Sequence, residues 1–443
     1  MRSRSWNNSA SKIAKAIADR EISTLAVSEH FLKRCRQFDS LISAWVNVDE
    51  EGTLKQAAAR DAADGVRGLL GGVPIGVKDV IDVQGFATYA GSKTRATEQP
   101  VRKDAAVVAR LRNAGAVIMG KTVTTEYATM DPARTRNPYR TDHTPGGSSS
   151  GSAAAVGAAM TPLAVGTQTA GSLCRPAAYC GVAAYKPSFG AVPTEGLIPL
   201  APSFDTVGVI GRRVADVKLA GAAIMDRDLT TVGRRGGAVA CLGVAAYRAS
   251  VPEVQASYNA SRNILWREGF SVDEIELPVD LDQVVSDHRI VMAGEAYQFH
   301  GHLLTLPEGV LGHHIGRLLA EGQDTSEIFV RDARERLSIA REAVWEALSG
   351  YTAILLQPVP APAPATLGAT GPTHYLVPWT TFGGPLIVVP GTLSVDGLPL
   401  AAMIGAAPGN DADAFDIAER LASQLDILPD FADAFSHAPG DNQ

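Results

Sequence analysis

Cysteine is scarce in this chain, with 4 residues among 443. The cysteines are scattered, at Cys35, Cys174, Cys180 and Cys241. Four cysteines at such spacings provide neither a disulfide framework nor the paired ligands of a zinc site. We therefore expect buried thiols and no bound metal.

Long hydrophobic runs are also missing. No stretch approaches the roughly 18 apolar residues that a membrane-spanning helix needs, and the first residues carry no signal-peptide pattern. The net charge is −7, with both signs interspersed along the chain, which gives no reason to expect nucleic acid or an anionic membrane as a partner. We expect a cytoplasmic protein.

Helical and strand-like segments alternate along most of the sequence. Apolar residues recur at helical spacing over residues 9–20, 23–38 and 51–64, and residues 44–48 alternate like a strand. Further along, GAVACLGV, PEVQASYNASRNILWREGF and FSVDEIEL give a strand–helix–strand order. This rhythm is typical of an α/β layer. Residues 281–349 are predicted to be a mostly helical insertion.

Glycine, serine and alanine are concentrated in residues 144–187, TPGGSSSGSAAAVGAAMTPLAVGTQTAGSLCRPAAYCGVAAYKP. A flexible linker would not run into SAAAVGAAM, a predicted helix, and then into the strand-like PLAVGT. A second turn, TAGS, follows at residues 169–172. We expect two hydroxyl-bearing turns that regular structure holds at a fixed separation, which is how catalytic groups are commonly positioned.

This segment resembles the signature of the amidase signature hydrolases, whose pattern GGSSGGS…GTDTGGS…RxPAxxCGxxGxKPT it follows nearly position for position. The resemblance extends to GGVPIGVKDVIDVQGFATYAGS, LRNAGAVIMGKTVTTEYA and GGPLIVVPGTLSVDGLPLAAMIG. It implies a single α/β/α domain with a large mixed sheet covered by helices, over residues 1–433. Residues 434–443 are predicted to be a disordered tail.

Lys78 lies in an apolar strand, where a lysine could extend to the edge of the core and pair with Asp79 or Asp82. Burial would lower its pKa and make it a base. The resemblance implies that Lys78 belongs to a Ser-Ser-Lys triad, in which Ser172 is the nucleophile and forms an acyl-enzyme. In that triad Ser148 relays the proton, and the peptide bond before it is cis.

The resemblance also implies an oxyanion hole made by the backbone N–H groups of Thr169, Ala170, Gly171 and Ser172. No metal or cofactor takes part in this mechanism. Two residues depart from the common family pattern. Gln168 stands where aspartate is usual, and Ala170 where glycine is usual, but neither change removes a catalytic group.

Arg175 follows Ser172 by three residues, whereas many family members carry arginine two residues after the nucleophile. This spacing is similar to that of the malonamidase-type branch, where the guanidinium would bind a substrate carboxylate. Alternatively, Arg175 is structural and pairs with a local carboxylate such as Asp205. The resemblance further places Ala128 and Thr129 in the substrate pocket.

We therefore predict an amidase that converts a small amide to an acid and ammonia or an amine, and a homodimer by resemblance. Two alternatives within the family are an allophanate- or carboxybiuret-type ureido-acid hydrolase and a glutamine-hydrolysing amidotransferase component that works with partner subunits. A third alternative, from a different class, is a non-catalytic nucleotide-binding protein, and it rests on residues 115–122, which match the phosphate-loop expression GxxxxGK[ST]. The four interior residues of this segment, 116–119, are apolar and indicate a buried strand, which argues against phosphate binding.

Overall fold

The computed structural model describes residues 9–63, 68–230, 236–243, 249–425 and 428. Within this part of the chain, eleven strands form one mixed sheet. Helices pack against the sheet, and the buried apolar side chains form a continuous core. The prediction of a single α/β domain with a large mixed sheet is confirmed. The predicted tail, residues 434–443, lies outside the described residues.

The strands are β1 (Trp45–Val48), β2 (Pro74–Lys78), β3 (Val117–Thr122), β4 (Leu163–Gln168), β5 (Ala183–Lys186), β6 (Thr206–Gly211), β7 (Ala238–Leu242), β8 (Ser271–Ile275), β9 (Ala353–Leu356), β10 (Leu386–Leu393) and β11 (Pro399–Gly405). Their order across the sheet is β1-β3-β2-β4-β6-β5-β10-β11-β9-β7-β8. The pairs β2–β3, β2–β4, β7–β8 and β7–β9 are parallel, and the other pairs are antiparallel.

The helices are α1 (Ala10–Ala18), α2 (Thr24–Ile42), α3 (Glu50–Ala62), α4 (Ala106–Asn113), α5 (Ser150–Gly157), α6 (Cys174–Tyr179), α7 (Val214–Met225), α8 (Pro252–Arg267), α9 (Leu281–His300), α10 (His313–Asp324), α11 (Glu327–Ala347), α12 (Val377–Thr381) and α13 (Asp411–Ser423). No helix in the described ranges combines the length and the apolar character needed to cross a membrane.

The strands that carry the site are buried along their whole length. Every residue of β2, PIGVK, and of β4, LAVGTQ, is buried. The two strands pair in parallel, with Val77 opposite Val165. Parallel strands covered on both faces read as nearly continuous apolar runs, which is why the sequence indicates them clearly. Lys78, the last residue of β2, therefore enters the interior from a rigid strand.

Helix boundaries differ from the sequence-based prediction where tertiary packing decides them. The predicted helix over residues 23–38 continues to Ile42, because Ile42 is fully buried in the core. It ends at Ser43, whose φ of 55° lies in the left-handed region and turns the chain out of the helix. The insertion over residues 281–349 is helical as predicted, and it consists mainly of α9, α10 and α11.

The segment that matches the phosphate-loop expression contains a core strand. Residues 117–122 form β3, and each of them is buried. The Lys121 ammonium lies 2.9 Å from the Asp79 carboxylate, with both side chains fully buried. It also donates to Thr88 Oγ1 at 3.0 Å. Because the lysine is committed to these internal partners, this geometry does not form a phosphate cradle.

Candidate active site

The two serine turns of residues 144–172 meet at one point in the interior. The N–H of Ser149 donates to the carbonyl of Ser172 at 3.0 Å. Ser149 Oγ also donates to the carbonyl of Thr167, at 3.1 Å. These bonds fix the first turn to β4 and to the end of the second turn. Ser148 is fully buried, whereas Ser172 retains 7% of its surface and lines a cavity.

Lys78 and Ser148 are brought into direct contact. Lys78 Nζ lies 2.8 Å from Ser148 Oγ and 2.7 Å from Thr167 Oγ1. The peptide bond between Gly147 and Ser148 is cis, as the resemblance predicts. Burial lowers the pKa of Lys78 to about 7, and the charge of Asp205 acts in the opposite direction. A large fraction of Lys78 is therefore the neutral amine near pH 7, and the amine can accept a proton.

The second turn presents unused backbone donors. The N–H groups of Ala170, Gly171 and Ser172 have no hydrogen-bond acceptor within the described part of the chain. A Cβ added at Gly171 would lie 2.9 Å from Leu376 Cδ1, so the turn leaves no room for a side chain there. Backbone donors without partners beside a small cavity are suited to stabilising a developing oxyanion.

Gln168 holds the second turn from behind. Its Oε1 accepts hydrogen bonds from the N–H groups of Leu173 and Cys174, at 3.0 and 2.9 Å. Its Nε2 donates to Thr380 Oγ1 at 2.9 Å, and that hydroxyl donates to the carbonyl of Ala170 at 2.7 Å. The neutral amide thus secures the start of α6 where the family commonly has a carboxylate.

Thr169 is fixed from two sides. Its hydroxyl donates to the Asp205 carboxylate at 2.5 Å, and burial raises the pKa of Asp205. Its carbonyl lies 2.9 Å from His288 Nε2, and the His288 ring stacks on Phe204 with centroids 4.1 Å apart. Burial lowers the pKa of His288 to about 4, so the imidazole is neutral at pH 7 and donates through Nε2. His288 could not be identified from the sequence, because a single histidine in an insertion helix has no distinguishing motif.

Arg175 lies in the first turn of α6 and is 1% exposed. Its Nε and Nη2 donate to the carbonyl of Gly147, at 3.2 and 2.6 Å, and its Nη1 donates to the carbonyl of Gly371. Burial lowers its pKa to about 10, so the guanidinium stays charged at neutral pH. It does not pair with Asp205, which binds Thr169 instead. These contacts favour a structural role, in which Arg175 holds the peptide that precedes Ser148.

A cavity of about 130 Å³ lies over Ser172. The predicted site residues that line it are Ala128, Thr129, Thr169, Ala170, Ser172 and Arg175. One face of α9 closes the opposite side, and its contributing residues are Val285, His288, Arg289 and Met292. The helical insertion therefore lines part of the cavity, and no sequence motif singles out the α9 residues that do so.

The wall that contains Ala128 is strained and firmly anchored. Tyr127 and Ala128 have φ values of 46° and 59°, in the left-handed region that non-glycine residues rarely adopt. On one side of them, Glu126 accepts the N–H of Gly312 at 2.7 Å. On the other side, Asp131 accepts N–H groups in the first turn of α10 at 3.0 Å. The loop and the insertion thus hold each other in place around the cavity.

Residues 26–414 match the Amidase family. Because this match covers most of the chain, the protein belongs to that family, and the predicted resemblance is confirmed at this level. The narrower resemblance to the malonamidase-type branch stays a prediction.

Individual relatives cover different parts of the protein. A glutamyl-tRNA(Gln) amidotransferase subunit from Roseiflexus castenholzii is 38% identical over 286 residues, which are 59% of this chain and 58% of that protein. The chain thus spans just over half the length of this relative. The peptide amidase of Stenotrophomonas maltophilia aligns over 95% of this chain and 98% of its own, with 26% identity and a TM-score of 0.82. A structure from an inhibitor-bound vestigial protein complex, described as revealing the evolutionary origins of an s-triazine catabolic enzyme, aligns over 95% of this chain and 100% of its own, with 26% identity and a TM-score of 0.87.

Replacing Gln168 with alanine should destabilise the site, because two backbone N–H groups and the Thr380 hydroxyl lose a buried partner. We expect a loss of about 2–4 kcal/mol in the free energy of unfolding, measured by urea denaturation. Gln168→Glu keeps the acceptor oxygens and should recover part of that loss. Equal stability of wild type and Gln168→Ala would contradict the assigned role.

Proposed function

We propose that this protein is an amidase that hydrolyses the C–N bond of a small amide through a covalent acyl-enzyme on Ser172. The observation that supports this most strongly is the buried contact of 2.8 Å between Lys78 Nζ and Ser148 Oγ. A lysine with a pKa lowered to about 7 is a base at neutral pH, and the contact directs it towards the serine turns. Family membership and the small cavity over Ser172 agree with this reaction.

In the proposed mechanism, neutral Lys78 accepts the proton of Ser148 while Ser148 accepts the proton of Ser172. Ser172 Oγ then attacks the amide carbon, and the negative charge on the former carbonyl oxygen is stabilised by N–H groups of the TAGS turn. The proton returns through Ser148 to the leaving nitrogen, and the C–N bond breaks. Water then attacks the ester to Ser172 by the same relay, releasing the acid and regenerating the serine.

A second candidate is the amidotransferase reaction, in which glutamine is the amide and partner subunits use the ammonia. It is favoured by the 38% identity to the Roseiflexus castenholzii amidotransferase protein. The match covers 58% of that relative's length, whereas the solved peptide amidase aligns over nearly its whole chain. We therefore place hydrolysis by this chain first, as a homodimer. The ureido-acid hydrolase that the family resemblance implies as an alternative is included in the test below.

Ammonia release from a panel of malonamate, succinamate, propionamide, glutamine and allophanate tests the function. We expect the chain alone to hydrolyse at least one member other than glutamine. Ser172→Ala should lower kcat/KM by about 10³-fold or more, and Ser148→Ala and Lys78→Ala by about 10²- to 10⁴-fold, because each removes part of one proton relay.

Ser150→Ala is the matched control for Ser148→Ala. Ser150 is equally buried, and its hydroxyl has no hydrogen-bond partner among the described residues. Its removal should change kcat/KM by no more than about threefold. If the protein hydrolyses glutamine alone, and does so only when partner subunits are added, the amidotransferase reaction replaces the independent amidase as the proposed function. Full activity of Ser172→Ala would contradict both.

The pH dependence of kcat/KM should report Lys78. The residue must be neutral to accept the proton, and the neutral fraction increases as the pH rises through about 7. We therefore expect kcat/KM to fall about tenfold for each pH unit below this value and to level off above it. The measurement is a series of initial rates with a neutral substrate between about pH 5 and 9. A flat profile, or a rate that declines as the pH rises through 7, would show that Lys78 is not the base.

A further inference from the structure

One face of α9 presents a single strongly charged side chain to the cavity over Ser172. Val285, His288, Arg289 and Met292 are spaced three and four residues apart, so they lie on the same side of the helix. Two of them are apolar, and His288 is a neutral imidazole bound to the turn. Arg289 is therefore the residue of this face that can attract an anion.

The charge of Arg289 is only partly neutralised. Its Nε donates to Glu321 Oε2 at 2.8 Å, but Arg317 donates to the other oxygen of the same carboxylate at 2.9 Å. Two guanidinium groups thus share one carboxylate, which leaves an excess of one positive charge. The Arg289 side chain is 41% exposed, so it is accessible to a ligand.

Neighbouring carboxylates on α9 are already paired with arginines of α11. Asp287 lies 2.5 Å from Arg336, and Glu295 lies 2.6 Å from Arg334. Among the described residues that line the cavity, there is no aspartate or glutamate. The cavity is therefore positively charged.

Arg175 is less suited to substrate binding, although it also lines the cavity. It is fully buried and uses its Nε, Nη1 and Nη2 to bind the carbonyls of Gly147 and Gly371. Turning it towards a ligand would leave those buried carbonyls without a partner. Arg289 has one described partner, which is itself shared. A substrate anion can bind Arg289 without disturbing the serine turns.

We propose that Arg289 recognises a carboxylate on the substrate and makes this enzyme selective for small amides that carry one. This inference rests on the proposed amidase function for its substrate class, but the anion site itself can be tested by binding. A guanidinium in a partly enclosed, largely apolar cavity favours a carboxylate through charge-assisted hydrogen bonds. The amide at the other end of the substrate then lies over Ser172.

The test compares succinamate with its neutral counterpart succinamide, for wild type and Arg289→Gln. We expect wild type to prefer the anion in kcat/KM. Arg289→Gln should lower kcat/KM for succinamate by roughly 10- to 100-fold, mainly through KM, and should change succinamide by less than about threefold. Arg289→Lys should recover part of the loss, because it restores the charge but not the bidentate geometry.

Arg317→Gln is the matched control. Arg317 also pairs with Glu321 but does not line the cavity, so this variant removes the same charge without removing a cavity residue. We expect it to lower kcat/KM for succinamate by no more than about threefold. Equal losses in the two variants would show a general field effect instead of contact. Equal losses on succinamate and succinamide in Arg289→Gln, or a wild-type preference for succinamide, would overturn the proposal while leaving the amidase function intact.

Binding of succinate to Ser172→Ala, measured by calorimetry, separates this inference from the proposed function. We expect succinate to bind this variant. The double variant that also carries Arg289→Gln should bind succinate at least tenfold more weakly. If no amide is hydrolysed but this difference is found, the proposed function fails and the anion site stands. If succinate binds equally to both proteins, or to neither, the anion site is wrong.

Discussion

The proposed chemistry depends on a fully buried lysine whose hydrogen bonds go to two hydroxyls. Lys78 Nζ contacts Ser148 Oγ and Thr167 Oγ1, and neither oxygen carries a negative charge that would stabilise the ammonium. Desolvation therefore dominates and lowers the pKa to about 7, against the opposing charge of Asp205. Lys121 is equally buried, and burial lowers its pKa as well, but the Asp79 carboxylate in direct contact with it opposes that shift. Lys78 has no carboxylate in direct contact, and it is therefore the better candidate for a base.

The surrounding structure serves to keep the two serine turns aligned with this base. Arg175 holds the carbonyl of Gly147, directly before Ser148. Gln168 secures the start of α6, directly after Ser172. His288 and Asp205 fix Thr169 from opposite sides. Each contact ends on backbone or on a buried side chain of the turns, so the reactive groups are positioned by a rigid framework.

The core of the site could be predicted from the sequence because its parts lie in rigid, locally encoded segments. β2 and β4 read as buried strands from their apolar runs, and the serine turns are marked by glycine and small residues on either side of α5. The motif then relates Lys78, Ser148 and Ser172 to one another. The contact between Lys78 and Ser148, which are 70 residues apart in sequence, depends on sheet pairing, which the motif implies only by resemblance.

The far side of the pocket could not be predicted in the same way. Arg289 and His288 lie on α9, whose buried positions include the charged residues Asp287 and Glu295 as well as apolar ones. Its sequence therefore has no clear apolar stripe that would show which side of the helix faces the pocket. The pairing of Arg289 with Glu321 joins two insertion helices, and no local signal encodes that approach. Arg175 was identified by its spacing from Ser172, but spacing could not show that its donors are used by Gly147 and Gly371. The proposed specificity residue thus depends on tertiary contacts, whereas the proposed catalytic residues belong to a linear motif.

The proposed mechanism requires that Ser172 becomes acylated, and this acyl-enzyme can be trapped. The protein would be mixed with an activated ester, quenched in acid within one turnover, and analysed by intact mass and peptide mapping. We expect a mass increase equal to the acyl group, located on Ser172, and loss of this adduct in Lys78→Ala because the serine is no longer activated. If the ester turns over without any adduct when deacylation is made slow, or if the adduct is located on Ser148, Ser172 is not the nucleophile.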